Sequence, residues 1–190
     1  MSRSRALAIG AVTVATAGIA WLLFVGLPRW YGPRSNPLAP PAPVAAATSG
    51  RKIKARLFYV SDDGTRLTGV ERDVAYGDGS AAQAEEIVKA QITPAAAPLV
   101  SAVPTGTRLR ALYLTAGGDA YVDLSRDVVT GHPGGSLEEL LTVYTIVNAL
   151  TMNLPAVTAV QVLVDGKEVD TLAGHVDLRR PLTKNVSWVE

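Results

Sequence analysis

Cysteine is absent from the 190-residue chain. The absence excludes disulfide bonds, zinc sites built on thiolates, cysteine nucleophiles and attachment to a membrane through a lipidated cysteine. A folded part outside the cytoplasm must therefore gain its stability from a hydrophobic core. A domain of about 140 residues can do so, because it buries roughly two thirds of the surface of its unfolded chain.

Histidine and aromatic residues are scarce, with two histidines and an aromatic content of 6%. The chain has no HExxH zinc motif and none of the glycine-rich motifs that bind phosphates or dinucleotides. Three aspartates near turns, Asp62, Asp63 and Asp78, lack the ligand spacing of a calcium loop and are interpreted as turn residues. We therefore predict no metal site and no cofactor.

Acidic residues are absent from the first 50 positions, which carry four basic residues. Residues 51–190 carry 14 basic residues and all 17 acidic ones, so their net charge is −3. Since the two signs are interspersed, this part lacks the basic footprint of a nucleic-acid-binding protein. We predict no nucleic-acid partner.

Residues 6–27 form an uncharged apolar stretch of 22 residues. As a helix it would extend about 33 Å, enough to cross the hydrocarbon core of a bilayer. We predict a transmembrane anchor here, with residues 1–5 cytoplasmic and the rest of the chain extracytoplasmic. The alternative is a cleaved signal peptide, because positions 15–17 have the small-x-small form of a cleavage site, although apolar sequence continues past them.

Residues 28–50 contain six of the twelve prolines and show no periodic apolar pattern. This composition predicts an extended linker with polyproline character. The folded domain is then expected to cover residues 51–190.

Six strands are predicted from alternating apolar and polar residues and from β-branched residues. They are expected to pair as three hairpins, with Asp165-Gly166 as the turn of the last one. In chain order the predicted strands cover residues 52–60, 66–74, 109–114, 120–125 and 160–164, with a return strand starting at 168–169.

Two helices are predicted between the hairpins, each starting at a capping box and ending at a proline. The first box pairs Ser80 with Gln83, and the second pairs Ser136 with Glu139. A wide apolar stripe makes the second helix the expected centre of the core. The predicted fold class is α+β: an antiparallel-rich sheet built from hairpins with both helices packed on one face, preceded by the transmembrane helix and the linker.

Four stretches of this domain occur in a recognisable order: the loop 103–109, the strand 120–125, the helix start 134–136, and the strand 160–167 with the tail after it. Together they resemble the GerMN domain of bacterial envelope proteins over about residues 53–182. The resemblance implies an extracytoplasmic domain with a binding or assembly role and no established catalytic chemistry. Many members are lipoproteins anchored by a cysteine, and here the transmembrane helix would replace that anchor.

The glycine-rich loop 131–135 leads directly into the second predicted helix. Backbone amides at a helix N-terminus can hold an anion or the carboxylate of a partner. We therefore predict His132, Gly134, Gly135 and Ser136 as partner- or ligand-binding residues. The alternative is that the glycines only permit the turn into the helix.

Asp123 and His175 complete the predicted partner- or ligand-binding residues. Asp123 would pair with Asp119 in a glycosidase-like site, but a solvated acid on the outward face of a strand is the simpler interpretation. His175 would need Asp177 as its orienting acid in a hydrolase.

The serine that such a hydrolase needs would be Ser125 or Ser136, and neither lies in a nucleophile-elbow motif. We therefore predict no catalytic residue, and we expect that the chain is not an enzyme.

The expected function is that of a membrane-anchored envelope protein whose domain binds a partner envelope protein or self-assembles, in sporulation, germination or another envelope process. Binding of cell-wall glycan or a small ligand is the alternative, and an envelope hydrolase is a third hypothesis. An exposed apolar patch or an unpaired sheet edge would support the first hypothesis. A concave pocket lined by tyrosine or tryptophan would support the second.

Overall fold

An antiparallel hairpin begins the folded domain in the computed structural model, which describes Trp21 and residues 50–190. Its strands are β1 (Lys52–Val60) and β2 (Leu67–Ala75). Next come helix α1 (Ser80–Ile92) and strands β3 (Leu109–Leu114) and β4 (Asp119–Leu124). The chain continues through helices α2 (Asp127–Thr130) and α3 (Ser136–Asn153) and strands β5 (Ala159–Val164), β6 (Lys167–Glu168) and β7 (Leu182–Thr183).

The described strands form two sheets, and the second one is mixed. Strands β1 and β2 pair only with each other as named strands, whereas β3, β4, β5 and β6 follow in that order, with β7 also pairing to β5. The pair β4–β5 is parallel, although only antiparallel hairpins were predicted. The reason is that α3 connects these two strands as a crossover, and β5 is buried along nearly its whole length, as parallel strands usually are.

Each long helix contacts strands of both sheets. Helix α1 contacts β1, β2 and β3, while α3 contacts β1, β5 and β7, and the two helices contact each other. The helices therefore do not lie together on one face of a single sheet as predicted, but the α+β class is confirmed. The core residues that are fully buried between these elements include Phe58, Leu67, Ile87, Val122, Leu124 and Leu150.

Neither predicted capping box forms. The residues before α1 and α3 are Gly79 and Gly135, with φ of 85° and 88°, and neither helix start has a side-chain cap. Each serine is already the first helical residue, so its hydroxyl is one position too late to cap. Gln83 instead accepts the N–H of Gly77 and donates to the carbonyl of Ala75, which ties α1 to the loop before it.

The edge of β1 that faces away from β2 is closed by amide side chains of the helices. The Gln91 side chain accepts the N–H of Phe58 at 2.8 Å and donates to the carbonyl of the same residue at 2.7 Å. Asn153 holds both backbone groups of Arg56 in the same way, each at 2.8 Å. Near the end of the strand, a backbone bridge reaches Val100. Each amide acts as a short substitute for a neighbouring strand.

The predicted turn at Asp165-Gly166 is confirmed. Both residues have positive φ, 51° and 77°, which is the backbone of a type I′ turn, and β5 pairs with β6 on either side of it.

Within the part of the chain that the structure describes, no helix is long and apolar enough to span a bilayer. The predicted anchor at 6–27 and linker at 28–50 lie outside that part, apart from Trp21 and Gly50.

Candidate functional site

His132 fixes the glycine-rich loop to the first turns of α3. Its Nδ1 accepts the N–H of Gly134 at 2.9 Å, and its Nε2 lies 3.3 Å from the hydroxyl oxygen of Thr142. Since Thr142 donates its own proton to the carbonyl of Ala102 at 2.7 Å, Nε2 must be the donor in its contact. The network therefore makes Nδ1 an acceptor and Nε2 a donor. His132 holds the loop in place through both nitrogens.

Gly135 and Ser136 are exposed at the start of α3, next to a carboxylate of the same helix. A Cβ atom at Gly135 would collide with Oε2 of Glu138, so this carboxylate lies against the first helical residues. An external anion would have to displace it to reach the helix N-terminus. The Glu138 carboxylate thus competes with any external anion for the predicted binding site at this loop.

A cleft of about 240 Å³ lies beside the same loop, between Val60, Ser101, Pro133 and Glu138. Its lining includes no aromatic ring. The volume is below the usual range of small-molecule pockets. The cleft therefore suits one side chain of a partner better than a sugar ring.

Glu139 is fully buried and holds the C-terminal segment against α3. Its two carboxylate oxygens accept the backbone N–H groups of Leu172 and His175, both at 2.7 Å. The ring Nδ1 of His175 lies 3.2 Å from the same carboxylate. Burial raises the pKa of Glu139, but hydrogen bonds from surrounding backbone amides lower it by more, so the pKa lies below its ordinary value. The buried residue is therefore a carboxylate at neutral pH.

The arrangement required of a hydrolase is not assembled around His175. Asp177, the predicted orienting acid, instead accepts two bonds from the guanidinium of Arg179, at 2.9 and 2.7 Å, and one from its backbone N–H at 3.0 Å. Ser125 donates to Asp127 at 2.6 Å. Ser136 is exposed at the helix start, and among the hydrogen bonds of the described residues neither serine reaches a histidine.

Asp123 is buried, with 6% of its surface exposed, which corrects the expectation of a solvated acid. Its Oδ1 accepts the N–H of Gly166 at 2.7 Å, and its Oδ2 lies 3.4 Å from Nε of Arg110. Arg110 also binds Asp165 at 2.6 Å. Asp119 lies four residues away on the same strand, about 13 Å at the rise of a strand, too far for a glycosidase pair. Asp123 thus links β4 to the turn between β5 and β6.

Asp123→Ala is expected to reduce the free energy of unfolding by about 1–2 kcal/mol, because it leaves a part-buried N–H without its acceptor and removes one of the two carboxylates beside Arg110. Asp119→Ala is the matched control on the same strand, since the Asp119 side chain makes no hydrogen bond among the described residues. It should stay within about 0.5 kcal/mol of the parent. Urea unfolding measures both, and equal losses would show that the Gly166 contact contributes nothing.

Tyr113 is exposed over 63% of its surface on β3, directly opposite Tyr121 on β4. We call this pair the tyrosine face. Because side chains alternate along a strand, Tyr121 shares its side of the sheet with Asp123, opposite the buried Val122. The sequence did not reveal this face, since β3 carries apolar residues at both alternating sets of positions.

Residues 56–170 match the family model Germane, described as sporulation and spore germination. None of the curated proteins matches the chain.

Solved structures that share the fold include the following three. A candidate lipoprotein of Clostridium perfringens has a TM-score of 0.51 at 21% identity, covering 71% of this chain and 89% of that one. The first GerMN domain of the sporulation protein GerM from Bacillus subtilis gives 0.54 at 13%, covering 69% and 97%. The tandem GerMN domains of the same protein give 0.55 at 14%, covering 70% of this chain and 46% of that one.

These identities establish the fold alone, while the family model covers more than half of the chain. The predicted resemblance to the GerMN domain is confirmed by both. The chain belongs to the Germane family of sporulation and spore-germination domains.

Proposed function

We propose that the chain is a membrane-anchored, non-enzymatic protein of the bacterial cell envelope whose GerMN domain binds a partner protein or self-assembles. The process would be sporulation, germination or another event in the envelope. Residues 6–27 would be the single-pass anchor with a cytoplasmic N-terminus, and residues 51–190 the extracytoplasmic domain. The apolar sequence of the anchor, the family membership and the fold shared with a candidate lipoprotein support this proposal.

The observation that carries the binding role is the tyrosine face. Tyrosine is enriched at protein interfaces, because a large rigid ring buries apolar area and keeps a polar tip. Beside the two rings lies the charged cluster of Arg110, Asp123 and Asp165. Aromatic residues next to such charges match the composition of an interface centre and its rim.

The loop residues His132, Gly134, Gly135 and Ser136 form a second proposed contact surface, together with the neighbouring 240 Å³ cleft. His175 belongs to it through Glu139 on the same helix start. Since His132 and His175 are both engaged in holding loops, their role in binding would be to keep the surface in shape.

Binding of cell-wall glycan is the second candidate function, and the tyrosine face is also the observation that favours it. Two neighbouring rings on a sheet offer a surface on which sugar rings can stack. The two candidates differ in what the same rings should capture in the cell.

The test is photo-crosslinking in living cells with the full-length protein. A photoreactive residue at Tyr113 should capture one envelope protein, or a second copy of the chain, and mass spectrometry identifies it. The matched control carries the same residue at Glu85 on α1, whose side chain is 40% exposed, and should capture only background.

Equal capture from both positions would contradict the tyrosine face as a protein-binding surface. Purified protein that then binds cell-wall fragments, and loses this binding in Tyr113→Ala, would establish the glycan function instead. Failure of both measurements would remove the tyrosine face from either role.

A further inference from the structure

The edge of β2 that faces away from β1 carries unpaired backbone groups. Gly69 lies opposite Phe58, whose own N–H and carbonyl point away from β2 to Gln91. In an antiparallel pair the residue opposite must then also point its backbone groups outward. By the alternation of the strand, Glu71 and Asp73 do the same.

The backbone N–H and carbonyl groups of Gly69, Glu71 and Asp73 have no hydrogen-bond partner within the described residues. The last two residues are also exposed. The two edges of this small sheet therefore differ: β1 is closed by side chains of both long helices, and β2 is open from Gly69 to Asp73. We call this segment the β2 edge.

The chain already adds a short strand to the start of the same side of β2. The N–H of Leu67 donates to the carbonyl of Trp188 at 2.7 Å, and the N–H of Glu190 donates to the carbonyl of Leu67 at 3.0 Å. Leu67 and Val189 form a parallel bridge. This side of β2 thus accepts an extended backbone, and the β2 edge continues directly from it.

A cleft of about 180 Å³ adjoins the β2 edge, lined by Leu57, Tyr59, Arg72, Ala90 and Pro94 among others. A strand added to the edge would point every second side chain toward this side of the hairpin. The lining combines apolar side chains with Arg72, Asp73 and Thr93, and its volume suits one aliphatic or small aromatic side chain.

The carboxylate of Glu71 on the β2 edge favours a basic neighbour at that position. Glu71 is exposed and forms no ion pair within the described residues. The arginine opposite, Arg56, lies over Gly69 instead, with its side chain 2.9 Å from where a Cβ atom would be. A lysine or arginine placed across from Glu71 on an added strand would therefore find an opposite charge.

A second copy of the chain fits this edge poorly. Two-fold pairing of β2 about Glu71 places two carboxylates opposite each other, and pairing about Arg72 does the same with two guanidinium groups. Pairing about Val70 would require Leu67, whose backbone groups are already bound by the C-terminal residues.

We propose that the β2 edge binds an extended peptide segment of a protein partner by strand addition. The segment places an apolar side chain in the 180 Å³ cleft and a lysine or arginine across from Glu71. This inference rests on the proposed protein-binding function and names the form of the partner. Main-chain hydrogen bonds supply affinity, and the cleft and the carboxylate supply specificity.

The experiment selects binders from a displayed library of random dodecapeptides, with the full-length protein in detergent micelles. Selected peptides should alternate apolar and basic residues. Binding should fall at least tenfold in Glu71→Pro, which removes one outward N–H without breaking a bond to β1. Glu71→Ala is the matched control, because it keeps the N–H and loses only the carboxylate, so affinity should fall a few-fold.

N-methylated peptides provide a measurement that leaves the protein unchanged. N-methylation of the peptide amides that face the β2 edge should abolish binding. N-methylation of the alternate amides, which face away from it, should have little effect. Equal effects of both sets, or equal binding to wild type and Glu71→Pro, would overturn strand addition.

A library that yields no binder would overturn peptide binding at the β2 edge. The proposed function would stand if crosslinking from Tyr113 still captures a partner. Failure of both experiments would overturn the two together. Slowed amide exchange at Gly69, Glu71 and Asp73 in the bound state is the result that locates the peptide on the edge.

Discussion

Glu139→Gln is expected to lower the free energy of unfolding by about 2–4 kcal/mol, because hydrogen bonds to a buried charged group contribute more than neutral ones. The carboxylate is fully buried and accepts the N–H groups of Leu172 and His175 at 2.7 Å. A glutamine amide would turn one of its own donors toward these groups. Urea unfolding followed by circular dichroism measures the loss.

Glu138→Gln is the matched control, since the same change at the preceding, exposed residue should cost less than about 0.5 kcal/mol. If both variants lost the same stability, the loss would come from removing a negative charge at the start of α3. The buried contact with the C-terminal segment would then contribute nothing.

The dependence on pH should separate the two variants further. Burial raises the pKa of Glu139, but the amides of Ala173, His175, Leu172 and Val176 outweigh it, so the folded-state pKa lies below the ordinary value of 4.5. A lowered pKa contributes stability that is fully present above the unfolded value and is lost as the pH falls through the folded value.

The difference in stability between wild type and Glu139→Gln should therefore stay constant above about pH 5 and shrink below 4.5. The His175 ring contacts the same carboxylate, so the series is repeated in a His175→Ala background. A difference that grows on acidification would contradict the lowered pKa.

Gln91→Leu is expected to cost about 2–4 kcal/mol, because it keeps the shape of the side chain and leaves two buried backbone groups of Phe58 unpaired. Both residues are fully buried, so water cannot replace the lost partners. Thermal and urea unfolding give the size of the loss.

Asn153→Leu provides the comparison, since it removes the same kind of contact from Arg56, which is exposed. Its loss should stay below about 1.5 kcal/mol, because water can take over there. Equal losses at the two positions would mean that burial of the backbone groups does not set the size of the effect.

Local features of the fold could be predicted from the sequence. The turn at Asp165-Gly166 depends on the backbone preferences of two neighbouring residues, and the helices depend on spacing within a few turns. The family resemblance rested on several such features in one order, and it was confirmed.

Features that depend on distant residues could not be predicted. Glu139 has the position of a capping residue, and only the segment 36 residues later shows that its carboxylate is used elsewhere. The parallel pairing of β4 with β5 depends on the crossover through α3, and the alternation within each strand did not show it. Tyr113 and its neighbour Leu112 are both apolar, so alternation alone did not show which one faces solvent.

The amide contacts along β1 also have a mechanical consequence. With the proposed N-terminal tether, tension from a membrane would enter at Lys52, the first residue of β1. That strand is bonded to β2 along nine residues and to Gln91 and Asn153 on its other side. Force on the proposed tether would then be shared by both long helices, because pulling β1 free would also break its bonds to Gln91 and Asn153.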